Sequence, residues 1–228
     1  MDLLTTLRST GAVRAFTDAP VDDETLVRVL DTARFAPNGG NRQAWHVVVC
    51  RDADVRAELG RLYAEPWRDY YAQTLAGMTP WSPNNALEEE RRVIDDAIAA
   101  GGLDEFVESQ VATMFAAPVV LPIFGDLDRL VATDRDLDRY TMAAGASVYP
   151  FAWNLLLAAR AEGLGGVITT MHARVEDDVR GLLAAPTNMA LACVVLLGHP
   201  VHQPTRLRRR PLSEFVTVDR FDGPALDG

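Results

Sequence analysis

Between a helix that ends near Phe35 and an apolar run that begins at Trp45 lies Pro37-Asn38-Gly39-Gly40-Asn41-Arg42-Gln43-Ala44, a turn dense in amide and guanidinium groups. Two glycines let a backbone approach a ligand closely, and Asn38, Asn41, Arg42 and Gln43 supply donors that a plain connector does not require. Taken alone the stretch reads equally as a connector or as the wall of a binding site. Arginines gather at two further places, Arg8 with Arg14, and Arg206 with Arg208, Arg209 and Arg210. In a chain of net charge −10, guanidiniums clustered against the overall sign suggest an anion site, most economically one phosphate held by both groups. A solvated face paired with local acids is the competing reading of the C-terminal cluster.

The remaining chemistry-bearing residues exclude more than they offer. Ser9, Ser82, Ser109, Ser147 and Ser213 sit in no glycine elbow. Cys50 and Cys193 lie inside apolar runs that read as buried strands, with neither a disulfide framework nor zinc spacing. His46, His172, His199 and His202 lack the spacing of metal ligands. All 22 basic residues are arginine, which rules out a Schiff-base lysine and a phosphate-loop lysine. What survives is the polar turn, the two arginine clusters and the strand Val167-Ile168-Thr169-Thr170, which offers backbone N–H groups. That inventory suits an anionic, planar, hydrogen-bonding ligand, with a cofactor carrying the chemistry.

Several elements must position these groups. Leu3, Leu4 and Leu7 mark a short helix over about 2–9, and Asp22, Asp23 and Glu24 open a second whose apolar positions Leu26, Val29, Leu30 and Ala33 recur at helical spacing up to Pro37. Trp45 to Cys50 reads as a strand and Asp52 to about Tyr71 as a helix. From Pro66 to Ala117 scattered aromatics and a Pro80-Trp81-Ser82-Pro83 break suggest two helices and a loop forming a lid. A strand over Pro118 to Gly125 follows, then an acidic linker, then a helix from Tyr140 to Glu162 that is apolar nearly all round and so central to a core or a subunit interface. Gly163-Leu164-Gly165-Gly166 turns out of that helix into the threonine strand; it is no dinucleotide fingerprint, because these glycines follow a helix instead of opening one. A short helix at Val175 to Leu183, a strand at Met189 to Leu197 and a late strand at Glu214 to Val218 complete the series.

With 228 residues, 48% of them hydrophobic, the chain suits one domain with an elaborated insertion. Its net negative charge repels nucleic acid and anionic membranes, so a small-molecule partner is expected. The segment Met1 to Arg8 lacks a basic start and long apolar core, and no apolar run is long enough to span a bilayer, so a cytoplasmic protein is expected.

Four segments in order resemble the FMN-dependent nitroreductase family. They are Arg8 to Phe16, Ala36 to Trp45, Asn154 through Gly163-Leu164-Gly165 to Thr169-Thr170, and Arg209-Arg210-Pro211-Leu212. The resemblance implies an α+β fold, a mainly antiparallel central sheet wrapped by helices, over a single domain at 1–228 with a helical lid at about 66–117. It also implies an intertwined homodimer with FMN at each interface. Arg8, Ser9 and Arg14 then match N-terminal flavin contacts, Arg14 near the N1/O2 edge of the ring. Asn38, Gly39, Asn41 and Gln43 match a turn that reaches the flavin from the neighbouring subunit. Ile168, Thr169 and Thr170 match a segment near flavin N5, and Arg209, helped by Arg206 or Arg208, matches a phosphate clamp. The implied activity is that of an oxidoreductase passing electrons from NADH or NADPH through flavin N5 to an electron-poor acceptor such as a nitroaromatic or quinone.

The chain departs from the family pattern in places. Its first motif is longer between the two arginines than the compact family form, Ala44 stands where proline is frequent, and Trp153 where glutamine is. In the lid, Trp67, Tyr70, Tyr71 and Trp81 are candidates for substrate contacts, with plain lid packing as the alternative. Two other functions stay open: a specialised flavin enzyme (dehalogenase, enoate reductase or flavin-fragmenting), and a protein that binds or stores flavin, or regulates a partner, without turnover.

Overall fold

A computed structural model describes residues 2–226 of the protein. Its centre is an antiparallel sheet in the order β1-β2-β4-β3, with β1 at Trp45–Val47, β2 at Val119–Asp126, β3 at Gly165–Thr169 and β4 at Met189–Gly198. β2 and β4 are the two longest strands and lie at the middle, where both faces are covered; this explains why they read as continuous apolar stretches instead of alternating ones. Their side chains nonetheless divide by period two. Val119, Leu121, Ile123, Cys193, Val195 and Leu197 enter one core, while Val120, Phe124, Val194 and Leu196 enter the other.

The first core is roofed by α2 (Asp23–Ala33) and α6 (Tyr149–Ala161), the second by α3 (Ala53–Leu75), α5 (Leu103–Phe115) and α7 (Glu176–Leu182). Three helices are started by aspartate caps: Asp2 accepts the Thr5 N–H at 3.0 Å, Asp22 accepts that of Thr25 at 2.7 Å, and Asp52 accepts those of Asp54 and Val55 at 2.9 and 3.0 Å. α1 (Leu3–Ser9) leaves Leu3 and Leu4 exposed, and α4 (Leu87–Ala100) packs beside α3 and α5. Among the described residues no helix is long and apolar enough to cross a membrane.

The α+β class and the antiparallel sheet are as expected from the sequence; several boundaries are not. α3 runs through Pro66 to Leu75, because Leu59, Leu62, Tyr63, Ala72 and Gln73 are buried and tertiary packing outweighs the helix bond that proline forfeits. Residues 66–117 therefore hold the end of α3, a loop, α4 and α5, instead of two helices and a loop. The strand expected from Trp45 to Cys50 is regular only to Val47, with one further bridge at Cys50. The helix expected from Tyr140 begins at Tyr149, after a 3-10 turn at Ala143–Ser147, with Pro150 in its first turn where the missing N–H costs nothing. The late strand expected at Glu214 to Val218 is absent: Leu212–Glu214 is a 3-10 turn, and of that stretch only Thr217 bridges, to Ala225.

Candidate functional site

The outer edge of β3 is where the sequence motifs meet. Val13 donates its N–H to the Gly166 carbonyl at 2.9 Å, Thr17 donates to His199 and Val201 donates to Ala15, so residues 13–17 thread between β3 and the chain leaving β4. This cover also pairs an otherwise open strand edge. Gln203 Nε2 bonds the Gly11 and Pro204 carbonyls, both at 3.2 Å. The stretch from Arg206 to Arg209 thus departs from beside the Arg8 to Arg14 segment, and two arginine clusters nearly 200 residues apart in sequence share one end of the β3 edge.

Charge marks this cluster. Many arginines find carboxylates, among them Arg28 with Glu162, Arg61 with Glu58 and Arg139 with Asp134, while others scattered over the chain, such as Arg42 and Arg129, do not. Among the described residues Arg8, Arg14, Arg206, Arg208 and Arg209 enter no ion pair, although acids outnumber bases by ten. They are exposed, and Arg209 Nη1 donates only to the Arg208 carbonyl at 2.7 Å. Unpaired guanidiniums gathered at one edge are a donor set for an anion, phosphate above all. Ser9 is turned inward, its hydroxyl donating to the Thr5 carbonyl of its own helix at 2.7 Å.

On β3, Thr169 is buried and Thr170 exposed at the strand's end, while Ile168 packs into the opposite core. Thr169 adjoins Tyr63 of α3, a residue that sequence reasoning passed over. Burial raises the Tyr63 phenol, and hydrogen bonding to Thr169 and the positive charge of Arg14 oppose that rise. Tyr63 is the positional partner, one helical turn back, of Trp67, and that spacing was its only signal in the sequence.

The polar turn lies elsewhere. Gln43 donates its N–H to Asn38 Oδ1 at 2.8 Å, and Gly39 donates to Ser147 Oγ at 3.0 Å. Gly40, Asn41 and Gln43 have φ of 60°, 52° and 50°. Left-handed backbone at two non-glycine residues is costly, and here it turns the Asn41 and Gln43 side chains to the surface. The turn leads into β1, at one edge of the sheet, whereas Thr169 and Arg14 sit at the other. Registers place Trp45 level with Gly125 and Ala190, and Thr169 level with Val194, so the two are three strand spacings apart across the sheet, about 14 Å, and four residues apart along it, about 13 Å. Within one chain the turn and the arginine edge do not form one pocket around a single ring.

The four lid aromatics do come together. Trp67 stacks on Tyr63 at 5.8 Å and on Tyr70 at 5.3 Å, Tyr70 meets Trp81 at 6.0 Å, and Arg174 caps the Trp81 ring at 4.8 Å. Gln73, fully buried, accepts the Trp81 N–H at 3.1 Å and holds that residue at φ 50°. Tyr71 meets Trp67 at 6.4 Å and stacks more closely on Phe106, at 4.5 Å.

Burial lifts the Cys50 thiol to about 11, against a weak pull from Arg56, and the Cys193 thiol to about 12. No group of three metal-ligating side chains occurs among the described residues. His172 is wholly buried, its Nε2 2.8 Å from the Leu59 carbonyl, and burial pushes it down to about 4 against that bond.

The profile of the nitroreductase family matches residues 7–199. An NADH dehydrogenase of Thermus thermophilus is 26% identical over 216 residues, covering 95% of each chain. A 4-nitrobenzoate reductase of a Nocardioides species is 26% identical over 234 residues, covering 92% of this chain and 87% of that one. Among solved structures, an oxidized iodotyrosine deiodinase bound to FMN and 3-iodo-L-tyrosine superposes with a TM-score of 0.65 at 20% identity, covering 96% of this chain and 100% of that one.

Proposed function

The chain belongs to the nitroreductase family, and from that premise we propose that it is an FMN-dependent oxidoreductase that takes electrons from NADH or NADPH and passes them to an electron-poor aromatic acceptor such as a nitroaromatic or quinone. The observation that carries this reading is the set of unpaired arginines at the β3 edge beside Tyr63 and Thr169. FMN fits that donor set: a dianionic phosphate for Arg8, Arg206, Arg208 and Arg209, and a ring that becomes anionic on reduction for Arg14. The names of the Thermus and Nocardioides relatives and the FMN in the deiodinase structure support cofactor and donor.

Bound flavin supplies the hydride and electron chemistry. The chain's own part is positional and electrostatic. Arg14 lends a fixed positive charge in a site walled by Tyr63 and Met114, and the Ile168 to Thr170 backbone borders the ring. The stacked faces of Trp67, Tyr70 and Trp81 border the acceptor from the lid.

A second copy completes the site. The separation of the Asn38 to Gln43 turn from the arginine edge supports a homodimer in which each turn serves the other chain's flavin. So does the arm beyond Arg206, where Leu212, Phe215, Phe221 and Leu226 are at least half exposed.

Anaerobic stopped-flow of purified protein loaded with FMN tests the reading. Bleaching by NADH or NADPH and reoxidation by 4-nitrobenzoate or a quinone are expected. Protein that neither carries nor binds FMN refutes it. The lid cluster with Arg174 and the likeness to the deiodinase favour one second reading, reductive dehalogenation of an aromatic substrate, which the same apparatus checks with a halotyrosine.

A further inference from the structure

A notch of about 20 Å³ is lined by Arg14, by Tyr63 and Trp67 one turn apart on α3, and by Gln110 and Met114 one turn apart on α5. Its size is that of one water molecule. Trp67 lines it, and the Trp67 Nε1 is fully buried with no hydrogen-bond partner among protein atoms. Such an orphan N–H costs about 1–3 kcal/mol unless something accepts from it. The indole cannot swing away to find another acceptor, since its ring is stacked between Tyr63 and Tyr70. Nothing in the chain ties down Arg14 or Gln110 either: neither side chain is in a hydrogen bond or an ion pair among the described residues.

We infer that this notch is a hydration site in which a single ordered water, gripped by Trp67, bridges the lid helices to Arg14 and fixes the guanidinium in place. The proposal rests on the flavin reading for its consequence but not for the site itself. The valences close: the water accepts from Trp67 Nε1–H and from an Arg14 N–H, and donates to Gln110 Oε1 and to the Tyr63 phenol oxygen. That satisfies all four positions of the water. Tyr63 also hydrogen bonds with Thr169, which continues the network to the strand that borders the flavin. Trp67 is thereby a positioning residue for Arg14, and a lid side chain bears on the electron affinity of the flavin without touching the ring. Arg14 has too long a side chain to hold one orientation unaided, which is the reason a bridge matters.

Two measurements decide it. High-resolution crystals of the flavin-free protein should show one ordered water within about 3.2 Å of Trp67 Nε1, and none there in Trp67→Phe. An indole N–H that meets a protein acceptor, or a notch closed by side chains, overturns the site, and this outcome is independent of whether the protein uses FMN.

The second is a double-mutant cycle read as the reduced-to-oxidised ratio of bound flavin against a reference dye. Trp67→Phe is expected to lower the ratio severalfold and Arg14→Gln about tenfold, with the double variant no lower than Arg14→Gln alone. Additive effects would show that Trp67 acts independently of Arg14 and would end the proposal. Gln110→Leu, at an exposed position that does not threaten folding, should shift the ratio in the same direction as Trp67→Phe; an unchanged ratio counts against the bridge.

Discussion

Gly11 packs so closely on Pro204 that a Cβ at Gly11 would lie 2.8 Å from the Pro204 Cβ and 2.9 Å from its carbonyl oxygen, with Leu207 at 3.0 Å. This contact, stitched by Gln203, sets the distance between the two arginine clusters.

Gly11→Ala should therefore do two things at once. Overpacking is expected to cost about 1–3 kcal/mol, seen as a lower midpoint in chemical denaturation, and the arm bearing Arg206 to Arg209 should be pushed outward. Flavin release measured by fluorescence should be faster in the variant. Retention equal to wild type would show that the clusters do not act on one ligand.

Stability in acid is expected to depend on Asp134. Its carboxylate accepts the Met142 and Ala143 N–H groups at 2.6 and 3.0 Å and Arg139 Nη1 at 2.9 Å, and these bonds hold it down at about 2. A carboxylate lowered on folding stabilises fully above its unfolded value, near 3.8, and the contribution fades as pH falls toward 2. The stability gap between wild type and Asp134→Asn should then be constant above pH 5 and narrow from pH 4 to pH 2. A gap that ignores pH would remove the carboxylate from this role.

His172 predicts a different window. Held neutral inside the protein at about 4 while the unfolded chain titrates near 6.5, it opposes folding increasingly as pH drops from 6.5 to 4. The full loss is on the order of 3 kcal/mol. Denaturant titrations of wild type should show it, and His172→Gln should show a flatter profile over the same range.

Gln43→Gly separates folding from binding in the polar turn. Glycine relieves the left-handed backbone at φ 50°, which costs other residues about 1–2 kcal/mol, although its freer unfolded chain offsets part of the gain. Thermal stability should be equal to wild type or higher, with weaker retention of FMN because the amide is gone. Mixed dimers with Arg14→Gln chains should recover one good site per dimer if the turn serves the partner's flavin; no recovery would place the turn outside that site.

Much of the architecture was legible in the chain because it rests on local chemistry. Asp22 and Asp52 announce helix starts through their own side chains, and the runs around Leu121 and Val195 are apolar enough to specify central strands in any context. The polar turn and both arginine clusters were legible as residue types. Residues 214–218 show the limit: an apolar, β-branched stretch becomes a strand only with a sufficient neighbour, and here the neighbour is the short stretch around Ala225, which gives a single bridge to Thr217.

What the tertiary structure alone decided is which polar groups meet. Gln110, Gln203 and Arg174 carry no sequence signal, and Tyr63 only its spacing from Trp67, because each matters chiefly through a partner tens of residues away or more. The turn from Asn38 to Gln43 is the clearest case. Its residue types alone suggested a ligand, but sheet order places it across the sheet from Arg14 and Thr169, since β1 and β3 occupy opposite edges and each strand between them adds a fixed spacing of nearly 5 Å.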